Sequence, residues 1–240
     1  MKRIVIMALL LAGSCARSAS PGPGTLTTGG QARIQQPPDP PSDQLRQQYA
    51  EANATLMSTR GLSNDAIGPA HVRALESYNR ILAEKPDYMD ALNDKAWILA
   101  TSPDATLRQP KESLDLAYLA LNSLASSGML RSNREALPED FTTGRVLVAS
   151  TTLGAALAAN GVFAATDVAE RAAASCGASA DIIMAFVVES AARMDEKFHT
   201  PTTAEMLSRA KEYQATFQQR KPLIGAVPLA SLTAPGTRLH

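Results

Sequence analysis

The sequence predicts an all-α fold of about eight helices paired as antiparallel hairpins, behind a disordered N-terminal segment. Three observations predict it. Apolar residues recur every three or four positions from Leu45 to Phe217, which is the period of a helix. No stretch sustains the alternation of a half-buried strand. Alanine, leucine and serine are plentiful while aromatics make up 5% of the chain, a composition suited to close-packed helices rather than a β-sandwich.

At 240 residues the chain is long enough for one or two domains with a real core. Its 23 Lys and Arg cancel its 23 Asp and Glu, so no strong electrostatic pull toward nucleic acid or an anionic membrane is expected.

Residues 1–15 read as an export signal. Lys2 and Arg3 give a positive start, and Ile4–Ala12 is an apolar run too short for a membrane span. Small residues then precede Cys15 in Leu11-Ala12-Gly13-Ser14-Cys15, which resembles the lipobox of bacterial lipoproteins. That resemblance implies lipidation of Cys15 and, with Ala16 after it, an outer-membrane lipoprotein facing the periplasm. The other reading is an ordinary signal cut after Ala16 or Ala19, which leaves a periplasmic protein. Only Cys15 and Cys176 occur, so an exported mature chain would hold no internal disulfide. Cys176 reads as a small apolar residue near a helix end. Residues 16–42 are rich in Pro, Gly, Ser, Thr and Gln and read as a linker.

The helical domain is expected over residues 43–222. Ser42 caps a first helix with the stripe Leu45, Tyr49, Ala52 and Leu56, ended by Gly61. Asn64 or Asp65 caps the second, with Pro69 in its first turn and Ile67, Ala70, Ala74, Tyr78, Ile81 and Leu82 inward until Pro86. The third spans Tyr88–Thr101, with Leu92, Ala96, Leu99 and Ala100 inward. The fourth starts at Pro110 and buries Leu114, Ala117, Leu121 and Leu124. The fifth covers Thr142–Asn160 and stops at Gly161. The sixth covers Ala164–Ser175. The seventh covers Ser179–Lys197 and buries Ile182, Ile183, Phe186, Val187, Ser190 and Met194. After Thr200-Pro201-Thr202 the eighth presents Met206, Leu207, Ala210, Tyr213 and Phe217. Residues 223–240 form an irregular tail.

This spacing resembles the tetratricopeptide repeat. Ala74, Tyr78, Ile81 and Pro86 stand where the second helix of a repeat has its small, aromatic, small and closing proline residues. Ala91-Leu92-Asn93-Asp94-Lys95-Ala96-Trp97-Ile98-Leu99-Ala100-Thr101 is similar to the first helix of a bacterial variant, followed by a Pro103-Asp104 loop and Arg108-Gln109-Pro110-Lys111. Lys95 replaces a leucine, so its stem must snorkel. Leu153-Gly154-Ala155-Ala156-Leu157 begins a third unit, with Ala165, Ala169 and Ala172 as the small stripe of its second helix, and Asp181–Phe217 keeps a hairpin shape. The resemblance covers residues 66–222. It implies a short right-handed α-solenoid whose work is holding a partner.

No GxxxxGK[ST], GxGxxG or HExxH motif occurs. His71, His199 and His240 are far apart, with His71 and His199 in polar company, and Asp195-Glu196-Lys197 reads as a solvated helix end. No catalytic residue, metal ligand or cofactor is expected. By the repeat alignment, a peptide groove would carry Asp90, Asn93, Trp97 and Thr101, with Val148, Thr151, Ala155 and Ala159 as their equivalents in the next unit. Such a groove favours an extended or helical peptide with modest apolar side chains. A second reading fills it with the chain's own tail, whose Leu223, Ile224, Val227 and Leu229 are apolar. The expected function is a non-catalytic, lipid-anchored interaction scaffold of the cell envelope, with a protein or peptide partner and no nucleic acid. The alternatives are a cell-wall enzyme and a structural subunit of a secretion or pilus assembly.

Overall fold

The computed structural model describes residues 40–126, 139–170 and 178–229. Cys15, Cys176 and the linker up to residue 39 lie outside the described residues, as do residues 230–240 of the tail. Every described element of length is a helix: α1 (Asp43–Met57), α2 (Asn64–Glu84), α3 (Met89–Thr101), α4 (Pro110–Ser126), α5 (Glu139–Ala159), α6 (Ala165–Glu170), α7 (Ala180–Phe198) and α8 (Pro201–Gln218). No strand occurs among the described residues.

Local chemistry explains most of the boundaries. The Ser42 hydroxyl accepts from the Leu45 amide at 3.2 Å and opens α1. Thr200 and Thr203 form a reciprocal cap at the start of α8, with Pro201 in the first turn. The α5 helix closes at Gly161, whose φ of +76° lets Val162 donate back to the Leu157 carbonyl and Gly161 to that of Ala158.

Several expected details differ. Ser63 sits at the N-cap of α2 and makes no side-chain cap bond, so Asn64 is the first helical residue and Pro69 falls inside the helix, beyond the first turn. A proline there removes one helix hydrogen bond. The α5 helix begins three residues early, at Glu139 rather than Thr142. Ile182 faces solvent, because adjacent Ile182 and Ile183 sit 100° apart on the helix and only Ile183 reaches the core. Ala165, assigned to the small stripe of the sixth helix, is exposed; the side chains of Ala169 and Ala172 lie outside the described residues. His71 is buried at 2% exposure, and its polar company there is the Ser102 hydroxyl, 3.1 Å from Nδ1.

Helices α1 to α5 each pack on the next and α7 packs on α8, while α3 also meets α5 and α5 meets α7. Contacts between alternate helices are what stacked hairpins produce. The α3 helix is the axis of the packing. Eleven of its thirteen residues are buried, all but Asp90 and Lys95. Ala91 and Ile98 join the core shared with α1 and α2, around Leu56, Tyr78 and Ile81. Leu92, Ala96, Trp97, Leu99 and Ala100 join the larger core, which runs through α4, α5 and α7 to Phe217 and Leu229. Lys95 keeps its stem covered and places Nζ 2.8 Å from Glu112 on α4. Small residues set the close approaches: Ala96 and Ala117 are fully buried, and a Cβ on Gly154 would lie 3.3 Å from the Met184 sulfur.

Candidate docking face on the third helix

Asp90, Asn93, Trp97 and Thr101 follow one another at intervals of three and four, so α3 carries them on one face. They meet different neighbours. Asp90, at the N-terminal end, forms an ion pair with Arg145 of α5, both side chains largely covered. Asn93 is buried and donates from Nδ2 to the Asp94 carboxylate at 3.1 Å, while its own Oδ1 has no partner. Trp97 is fully buried, with its ring centroid 6.0 Å from that of Tyr213 on α8. Thr101 closes the helix with its hydroxyl on the Trp97 carbonyl at 2.8 Å.

The C-terminal half of this face is not open. Residues 223–229 of the tail lie on it in a largely irregular course. The Trp97 indole nitrogen donates to the Ala226 carbonyl at 3.2 Å. The Gly225 amide donates to the Thr101 carbonyl at 2.7 Å, and the Tyr213 hydroxyl donates to the Val227 carbonyl. Leu223 and Leu229 are buried beneath the segment, whereas Ile224 points outward at 42% exposure. The tail therefore occupies the groove that spacing alone leaves open. In the next unit Thr151 and Ala155 are buried, and Val148 and Ala159 are half-buried against the core, so these positions offer no groove either.

Two left-handed residues shape the tail. Arg220 follows α8 at φ +54°, donating its amide to Phe217 while Lys221 donates to Thr216. Its guanidinium lies 2.9 Å from Asp167. That contact, with amide bonds from Ala164 and Phe163, pulls the Asp167 carboxyl down to about 2. Gly225 has φ +70°, and a Cβ there would stand 2.7 Å from Oδ1 of Asn64. Only glycine fits.

A second polar cluster ties the first three helices together. The Asp94 carboxylate on α3 accepts from Tyr49 of α1 at 2.8 Å and from Tyr78 of α2 at 3.1 Å. Burial raises the Asp94 carboxyl to about 7 against the stabilising effect of these donors. Burial also raises both phenols well above their ordinary value, with the nearby Asp94 charge adding to it. Through Asp94 the cluster joins α1, α2 and α3 by side-chain hydrogen bonds. Between α1 and α2 an outward groove of about 550 Å³ is lined by Gln48, Glu51, Arg73, Glu76, Ser77 and Arg80, a mixed polar surface. Among the described residues, no group of three His, Cys, Asp or Glu side chains is placed to hold a metal ion. Nor is any described helix long and apolar enough to cross a membrane.

Three participants carry no local sequence signal as site residues. Tyr213 stands in the apolar stripe of α8 and reads as core. Arg145 and Asp94 gain their roles from partners on other helices. Comparison with protein-family models, with curated proteins and with solved structures finds no match for this chain.

Proposed function

We propose that the chain is a non-catalytic interaction scaffold of the bacterial cell envelope, built from tetratricopeptide-like hairpins in a right-handed stack and anchored by a lipid on Cys15. One observation carries the reading. The face of α3 that the repeat resemblance assigns to partner binding receives an irregular, non-helical peptide segment, gripped through main-chain groups by Trp97, Thr101 and Tyr213. Main-chain capture with buried aliphatic anchors is a general mode of peptide recognition. The contacts of α3 with α5 and of α5 with α7 support the stacked arrangement.

The test is crosslinking in cells, with the crosslinker at Ile224 or Lys221 beside the docking face, and mass spectrometry of what is captured. An envelope protein recovered there supports the reading. Turnover of cell-wall fragments, abolished by one side-chain change, would replace it with the enzyme alternative. Radiolabelled palmitate incorporation, with Cys15→Ser as the control, tests the anchor separately.

A further inference from the structure

The tail sits on α3 as a ligand would. Its contacts with Trp97, Tyr213 and Thr101 use two carbonyls and one amide, groups that every peptide has. What is specific to it is the pair of buried leucines, six positions apart, and the absence of charge: no charged residue occurs between Lys221 and Arg238. Lifting the segment would leave an indole N–H without its acceptor, a phenol without the Val227 carbonyl and a carbonyl at the end of α3 without the Gly225 amide, on an apolar floor. Polar groups so placed demand a replacement partner. The segment is also separable from the rest. It adds no turn to any helix, enters through Pro222 just after a left-handed Arg220, and bends again at Gly225. Local opening of such a strap breaks only its own contacts, not a helix ladder.

We propose that residues 223–229 are a displaceable internal ligand, which keeps the docking face of α3 shut until an extended, uncharged peptide with aliphatic side chains at the Leu223 and Leu229 positions replaces it. The proposal rests on the scaffold reading and adds the partner's chemistry and an autoinhibitory step.

The test uses the full chain carrying Gly225→Val, a β-branched residue that the left-handed backbone strains in the seated tail. Trp97 is the sole tryptophan and reports directly. The variant should keep its helical circular dichroism and show red-shifted Trp97 emission. A labelled synthetic peptide of residues 221–231 should bind it at least about tenfold more tightly than it binds the unaltered protein, and shift the emission back. The same peptide with Leu223→Asp and Leu229→Asp should not bind. A folded variant that ignores the first peptide, or unaltered protein that binds it equally well, overturns the proposal. So does a variant that elutes as a dimer, which would make a second copy's tail the occupant. Should the variant fail to fold, hydrogen exchange on the unaltered protein decides. The Gly225 amide should exchange at least about tenfold faster than the buried amides of α3, and equal protection would mean that the strap never opens alone. A partner captured through Lys221 that binds the Gly225→Val variant no more tightly than the unaltered protein leaves the scaffold reading standing and overturns this one.

Discussion

The indole nitrogen of Trp97 donates to the carbonyl of Ala226, 129 residues further along the chain. The bond joins the middle of the packing to its last described segment. Trp97→Phe keeps most of the apolar contact and removes the donor, so it should lower stability by about 1–3 kcal/mol. Urea denaturation followed by circular dichroism measures it. An unchanged midpoint would mean that the tail contributes nothing at this point.

Gly154 faces Met184 and Ile183 of α7, with room for a methyl group at most. Gly154→Leu should force α5 and α7 apart and cost about 1–3 kcal/mol or more, whereas Gly154→Ala should stay close to the original protein, since Ala is the better helix former. Thermal melts of the two variants side by side make the comparison.

Asp94 and His71 titrate in opposite senses. Burial raises the Asp94 carboxyl from 3.8 to about 7, so its contribution is complete below pH 3.8 and is lost as pH rises through about 7. Burial lowers His71 from 6.5 to about 4, so its contribution is complete above pH 6.5 and is lost as pH falls through about 4. Between about pH 4 and 6.5 the two slopes oppose each other. Asp94→Asn should uncover the histidine, with melting temperature falling on acidification relative to the unaltered protein. His71→Gln should uncover the carboxyl, with melting temperature rising over the same interval. Identical pH profiles for both variants and the parent would dismiss these assignments.

Arg220 holds a left-handed backbone that costs a side chain about 1–2 kcal/mol, and offsets this in part through Asp167. Arg220→Ala keeps the strain and loses the ion pair, whereas Arg220→Gly loses both. The glycine variant should therefore exceed the alanine variant by about 1 kcal/mol in denaturant titrations. The reverse order would place another conformation at this turn.

The row of residues on α3 was legible because helix periodicity needs only local spacing, and the Ala–Trp pattern followed by Pro103 marks the helix and its end. That the tail covers the row was legible only as one of two readings. Leu223, Val227 and Leu229 are apolar in either, and what decides is a contact more than a hundred residues away in sequence. The Asp94 clamp was invisible for the same reason: Tyr49 lies 45 residues off and Tyr78 lies 16 off, and nothing in Asn93-Asp94-Lys95 marks a carboxyl for burial. Ile182 was misassigned because two adjacent isoleucines leave the phase of a helix ambiguous until its neighbours are known.

The α3 helix belongs to both apolar clusters, giving Ala91 and Ile98 to one and Trp97 and Leu99 to the other. Neither cluster can melt without uncovering residues that the other depends on. Described this way, the hairpins are not beads that fray one at a time from an end. They share an axle, and heating should remove them together in a single cooperative transition.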